Sequence, residues 1–386
     1  MRPIAAASVL LIAALLTVPV RSDEPISSSV TYTREIYRIL ESRCLACHAS
    51  DGVAMPLGTY REARPWARAM REELIEGRMP PWTAAAGYVP FANDIGLTSR
   101  ELATILTWTD GGTPRGDDRD LPSRAGGHRH SAAVDADERL DLPPQRVPAS
   151  EEHVIRRVTI DAGPAAGKSI RQIDLVPGDT RVLRAAFVFV LPRVEGAPSA
   201  WVSAWTPWLR TTTPPDGAAF RLPAGARLLV ELHYRGRDAD IDDRPALALS
   251  YADQRGGEVS QVVVHTAPVP GTNGVARRRG EAVVREDTRV WAIFPHAPES
   301  LTPEDLDPYA DPTGAPSLEV TARRPDGSVE VLLWIPRQRH DWPTPYVLRT
   351  PVDLPAGTTV VVTTTAPRAD GTPPSTTVAL NLATGR

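Results

Sequence analysis

The spacing of apolar residues in this chain changes period about a third of the way along. In residues 31–113 it is helical: Ile36, Ile39, Leu40 and Cys44 define one helix, with Glu35 near its start, where negative charge suits the helix dipole. Pro65 opens a second helix as a first-turn residue. Trp66, Met70 and Leu74 line one face of it at i, i+4 and i+8, and Gly77 supplies a left-handed stop. A third helix begins at a capping box of Thr98 and Glu101, with Leu97 and Leu102 stapled across it. Leu102, Ile105 and Leu106 form its face, and Gly111-Gly112 ends it. From residue 154 onward the period shortens to two. Runs at 182–191, 227–234, 246–251, 259–265, 288–294, 318–322, 329–335 and 358–365 predict strands, with turn chemistry at Pro325-Asp326-Gly327 and Leu354-Pro355-Ala356-Gly357. Many short strands without intervening helices predict two all-β sandwiches, dividing near Arg255-Gly256-Gly257.

Composition sharpens this outline. Met1-Arg2, an apolar run from Ile4 to Val18 and small residues around Val20-Arg21-Ser22 predict a signal peptide over residues 1–22, with an uncleaved anchor as the alternative. Residues 114–150 are rich in Gly, Pro, Asp, Arg and Ser and predict a linker. His128 and His130 fall within it and predict a solvated loop rather than a metal site. A net charge of −4 leaves no basic footprint for nucleic acid. Proline, at 39 of 386 residues, is about twice its usual ~5% share, which disfavours long helical arrays beyond the first hundred or so residues.

The only two cysteines stand in Cys44-Leu45-Ala46-Cys47-His48. A C-x-x-C-H run is the pattern of covalent haem c attachment: each thiol adds to one vinyl group, and the adjacent histidine lies beneath the iron as proximal ligand. A disulfide would close only a tiny loop and leave the histidine unexplained. A thioredoxin-like site needs a βαβ context, and a zinc site needs further ligands near the motif. One covalent haem is therefore expected, with Cys44, Cys47 and His48. Among four methionines, Met1 belongs to the signal and Met70 to a helix face. Met79 is favoured as distal ligand because it follows a helix stop and is stiffened by Pro80 and Pro81, with Met55 as the alternative. Three helices around one haem motif predict an all-α cytochrome c domain at residues 23–113 that folds with its haem independently of the rest.

Ala54-Met55-Pro56-Leu57, Ala63-Arg64-Pro65-Trp66-Ala67 and Arg78-Met79-Pro80-Pro81-Trp82 resemble the cytochrome c domain that some bacterial proteins place before a copper type II, ascorbate-dependent monooxygenase region similar to peptidylglycine α-hydroxylating monooxygenase. Leu232-His233-Tyr234, Asp242-Asp243-Arg244, Pro295-His296 and Pro325-Asp326-Gly327 through Trp342 and Tyr346 follow that family's order. The resemblance implies a multi-domain chain: an all-α cytochrome c domain, then two all-β, jelly-roll-like sandwiches at residues 151–256 and 257–386 facing each other across a cleft, with a copper ion on each. The implied copper ligands are mostly missing. Arg184 and Ala185 stand where a His-His pair belongs, His233 alone remains of that site, His296-Ala297-Pro298 replaces His-x-His, and no methionine follows Met79. A type II copper ion needs several imidazole or comparable donors, so copper is not expected and His233 and His296 are read as hydrogen-bonded cleft residues. The function expected is electron transfer by an exported, periplasmic or secreted haem protein. Its degenerate sandwiches would bind or dock a small molecule or peptide, beside an unknown redox partner. The alternative is a copper- and haem-dependent monooxygenase using molecular oxygen.

Overall fold

The computed structural model describes residues 28–123, 136–194, 197–252, 257–270, 275–296, 306–307, 309, 315–367 and 375–383. The expected signal peptide, His128, His130, Ala297 and Pro298 lie outside them. Among the described residues no helix is long and apolar enough to cross a membrane.

The N-terminal segment begins with a π-helical turn, Tyr32–Ile36, capped by Thr31 and running into the helix Tyr37–Arg43. The single turn Leu45–His48 follows. Ile36 and Leu40 are fully buried, as their spacing requires. The second helix, Ala67–Ile75, starts later than Pro65 predicts, because Arg64–Trp66 forms a 3₁₀ turn. That tighter turn rotates Trp66 off the apolar face and leaves it 43% exposed, while Met70 stays buried. Gly77 ends the helix at φ 69°, in the left-handed region. The third helix, Ser99–Asp110, carries both halves of the Thr98–Glu101 capping box. Its buried residues are Ile105 and Trp108, the latter packed on Tyr32 with ring centroids 6.1 Å apart and donating its Nε1–H to the Pro114 carbonyl at 3.0 Å.

These helices do not make the self-contained all-α cytochrome domain expected for residues 23–113. Among the described residues strand accounts for 41% and helix for 16%, and the longest helix has 12 residues. Between the second and third helices the chain leaves the helical layer altogether. Residues 82–93 lie along the strand Tyr346–Leu354: Ala92 N–H donates to the Val347 carbonyl at 2.7 Å, Arg349 N–H to Pro90 at 2.9 Å, and Phe91 bridges Leu348 antiparallel. Trp82 and Phe91 meet Tyr346 with ring centroids 5.1 and 5.3 Å apart. The Asn93 side chain donates to Pro345 at 2.8 Å and accepts from Val347 N–H at 3.0 Å. The loop that would close a cytochrome c domain is thus part of the β core, because its aromatic side chains find their apolar partners there.

The β region does not divide into two separate sandwiches either. One eight-stranded sheet runs, in spatial order, through Glu138–Asp141, Ala246–Tyr251, Ser169–Val176, Ala218–Arg221, Gly257–His265, Thr377–Ala383, Thr288–His296 and Tyr346–Leu354. It crosses the expected boundary by parallel pairing of Gly257 with Ala218 and Glu258 with Ala219. A four-stranded sheet, Val154–Asp161, Arg227–Tyr234, Leu183–Val190 and Ala200–Trp205, packs on it through Phe187, Leu228, Leu232, Trp291 and Phe294. A five-stranded sheet, Ala267–Val269, Val275–Val283, Thr359–Pro367, Ser317–Arg323 and Val329–Ile335, forms a second core with Val290, Ile293, Val378 and Leu380. The strands Thr288–His296 and Thr377–Ala383 therefore send side chains into both cores and are apolar on both faces. Glu138–Asp141 and Gln145–Val147, inside the stretch expected as a linker, are strands paired with Ala246–Tyr251 and Ile241–Asp243.

Candidate functional site

Cys44, Cys47, His48 and Met79 line one cavity. Cys44 sits between two helical turns, its N–H donating to the Leu40 carbonyl at 2.8 Å, so the motif continues the first helix. Both cysteines are free of disulfide. Burial pushes both thiols up to about 12, which makes them neutral thiols and poor thiolate nucleophiles. His48 is buried, and its Nδ1 lies 2.8 Å from the Met55 carbonyl. A carbonyl only accepts, so Nδ1 donates and Nε2 is the lone-pair nitrogen, the tautomer an axial ligand requires. Burial lowers the pKa of this imidazole, which also keeps it neutral. Gly52 makes the return turn possible: a Cβ there would stand 2.1 Å from the Cys47 carbonyl oxygen.

The two candidate methionines stand differently to the cavity. Met55 is anchored by its backbone beside His48, and its side chain does not line the cavity; Met79 does. Arg78 and Met79 donate their N–H groups to the Glu73 carbonyl at 2.9 and 3.2 Å, and the Arg78 side chain pairs with the Glu73 carboxylate at 2.9 Å. Neutral paired thiols, a lone-pair imidazole and a thioether on one cavity fit a covalently held haem c as a donor set.

The far wall belongs to the β region. His153, Arg184, Arg235, Arg339 and Trp342 complete the cavity. Cys47, Val53 and Trp342 form a small buried cluster of their own, with Trp208 against it. Thr180 donates to the Asp51 carbonyl at 2.7 Å, and Arg339 donates to the carbonyl of Arg78 at 2.6 Å, tying the haem-motif turn and the Met79 loop to the sheets.

A second cavity lies beyond Trp342 and Arg339, which line both. His233 and His296, expected on two different domains, meet there on one carboxylate. Their Nε2 atoms lie 2.8 and 3.3 Å from Glu231 Oε1, and Arg157 Nε donates to Oε2 at 2.7 Å. Burial alone would raise the pKa of Glu231, but the hydrogen bonds from the two histidines outweigh it and hold the carboxyl well below its ordinary range. Phe187 and Phe294, stacked 4.6 Å apart, floor the cluster. Among the described residues, no group of three or more His, Cys, Asp or Glu is arranged as a metal-ion site. Ala185 is buried in register with His233. Arg184, its neighbour in sequence, points to the haem-motif cavity instead. Glu231 and Arg184 carry no motif, yet each is a charge inside an apolar strand, and Glu231 shares a face with His233 by the period of two.

No protein-family model matches the chain, and no curated protein matches it by sequence. Solved structures with some likeness include the major capsid protein P2 of bacteriophage PM2, at 10% identity over 64% of this chain and 98% of that one, TM-score 0.25. Others are allantoicase, at 10% identity over 63% and 92%, TM-score 0.18, and the PBSX exported protein XepA, at 11% identity over 63% and 92%, TM-score 0.18. At these TM-scores the likenesses carry no argument about this chain.

Proposed function

We propose that the chain is an exported, periplasmic or secreted, haem c protein that transfers electrons. Cys44 and Cys47 are the attachment residues, His48 and Met79 the axial ligands, and the cleft at Glu231 binds or docks a second molecule. The observation that carries this reading is the meeting of Cys44, Cys47, His48 and Met79 on a single cavity, with His48 in the tautomer of a ligand. When bound, a haem held by histidine and methionine supplies reversible one-electron transfer at a raised potential. The chain's own residues supply the setting. The Met55 carbonyl fixes the His48 ring, the Arg78–Glu73 pair holds the Met79 loop, and Trp342 with Val53 keeps water from the Cys47 side. Attachment of haem c to cysteines takes place outside the bacterial cytoplasmic membrane, which agrees with the expected signal peptide.

Expression of the full chain together with a haem c maturation system tests this. The purified protein should carry one haem that resists acid–acetone extraction, lost on changing Cys44 and Cys47 to alanine. A soluble full-length chain without extraction-resistant haem would refute the reading.

The convergence of His233, His296 and Glu231 gives the copper- and haem-dependent monooxygenase its one supporting observation. Two imidazoles are fewer donors than a type II copper ion requires, and Arg157 competes for the carboxylate. Protein loaded with excess copper and desalted should keep iron near one per chain and little copper. Stoichiometric copper, lost in a His233→Ala or His296→Ala variant, would favour the monooxygenase.

A further inference from the structure

We infer that Arg184 binds a propionate carboxylate of the haem, so that the cofactor is clasped between the helical segment, which tethers it, and the four-stranded sheet, which neutralises it. The inference rests on the haem reading of the cavity. Arg184 is the one charged residue of the strand Leu183–Val190, whose every residue is buried, and its side chain is 8% exposed. A buried guanidinium is strongly unfavourable unless its charge and its N–H groups are met. Here they are met only in part. The guanidinium lies over the Trp342 ring at 4.1 Å, and one terminal nitrogen is 3.3 Å from His153 Nδ1. Its nearest carboxylate among the described ion pairs, Asp341, is 3.9 Å away and is already held by Arg339 at 2.6 and 2.9 Å. Its Nε–H has no partner among the described residues.

The other arginines of the wall are matched. Arg43 pairs with Glu101, Arg78 with Glu73, and Arg235 with Glu152. Arg184 and Arg339 share the single Asp341 carboxylate, which leaves one positive charge over on the wall of a cavity whose remaining groups fit the thioethers and the axial ligands. The haem brings carboxylates of its own, and a guanidinium offers the planar fork that a carboxylate accepts. The same side chain that replaces an expected imidazole thus acquires a positive role on the opposite face of its strand.

The test uses the full-length holoprotein and its Arg184→Gln and Arg184→Lys variants, with the midpoint potential followed from about pH 5 to 8, the range in which an unpaired propionate or a histidine titrates. The described groups facing Arg184 are His153, Glu152, Asp341, Arg235, Arg339 and Cys47; His153 is the imidazole in hydrogen-bond reach of the guanidinium, so each measurement is repeated with His153→Gln. The wild-type potential should be nearly flat, because a propionate paired with arginine stays ionised. Arg184→Gln should keep extraction-resistant haem and its methionine ligation, but its potential should fall as pH rises, with or without His153, and Arg184→Lys should restore most of the flatness. A potential shifted equally at every pH, or unchanged, would overturn the inference while leaving the haem reading intact; a wild-type chain without covalent haem would sink both. If the glutamine variant does not fold, resonance Raman spectra of wild type and Arg184→Lys decide the matter. The propionate bending mode must move between them, and an unmoved mode refutes the contact.

Discussion

At the scale of single residues, the C-x-x-C-H pattern can be read without the fold because it stands in five consecutive positions, and the proposal of Met79 over Met55 rests on the stop at Gly77 and the prolines after it. The structure adds a reason: Met55 serves His48 through its carbonyl, which any residue supplies. Met55→Ala should therefore leave the sulfur-to-iron charge-transfer band in place, while Met79→Ala should abolish it and lower the potential; absorbance near the band and a redox titration decide, and the reverse pattern would exchange the assignments. Glu231 was not legible, because a buried acid declares itself only when its partners arrive from distant strands. Its carboxyl is depressed by His233 and His296, so the stability it contributes is complete above the ordinary carboxyl value of 4.5 and is lost as pH falls toward the lower folded value. Glu231→Gln removes the carboxylate that accepts from Arg157, His233 and His296, and because Arg157 is 37% exposed and can be solvated it should lower stability by ~1.5–3 kcal/mol at neutral pH. In urea denaturation the difference from wild type should hold from pH 8 to 5 and shrink only under more acidic conditions. A gap that closes between pH 8 and 6 would instead trace the effect to the histidines.

At the scale of elements, local pattern served where the partners are local. The capping box at Thr98 and the strand runs 182–191, 227–234 and 329–335 correspond to observed elements within a residue or so, since alternation and end chemistry are written in the segment itself. The strand Val275–Val283 was missed because three consecutive arginines and a glycine mask its alternation, and Tyr346–Leu354 because Pro351 argues against a strand. The latter is the last strand of its sheet, where a missing N–H is tolerated. Residues 82–93, with Gly87 and Pro90, read as a loop, yet they are the segment that joins the helices to the sheets. Two substitutions separate the two kinds of element. Thr98→Ala removes a local cap and should cost ~1 kcal/mol in thermal or urea unfolding, without altering the haem spectrum. Phe91→Ala empties a buried site against Trp82 and Tyr346 and should cost ~3–5 kcal/mol. Because Met79 immediately precedes that segment, Phe91→Ala should also weaken the methionine band. An unaffected band would mean that the docked segment does not position the ligand.

At the scale of the whole molecule, a period of two cannot distinguish two separate sandwiches from three sheets that share a middle layer. The runs 288–294 and 358–365 are compatible with either, and what joins the halves, the pairing of Gly257 with Ala218 and the packing of Trp291 and Phe294 on the four-stranded sheet, is not written in the alternation. The same limit hid the dependence of the N-terminal segment on the sheets, since a capped helix with an apolar face reads alike in an independent domain and in one layer of a larger body. Three structural dependences now bear on that question. Trp82 and Phe91 find their core around Tyr346, Cys47 and Val53 are closed by Trp342, and the carbonyls of Asp51 and Arg78 are held by Thr180 and Arg339. A chain cut to residues 23–123 would expose both aromatic clusters and lose the cationic wall of the cavity, and exposed apolar patches of that kind drive association. Co-expressed with a haem c maturation system, this fragment should be insoluble, or should attach haem through Cys44 and Cys47 yet show a weakened methionine band and a more oxygen-reactive iron than the full chain. Size-exclusion chromatography and the visible spectrum of the two proteins side by side make the comparison. A monomeric fragment with the full chain's spectrum would restore the independent haem domain that its helices suggest.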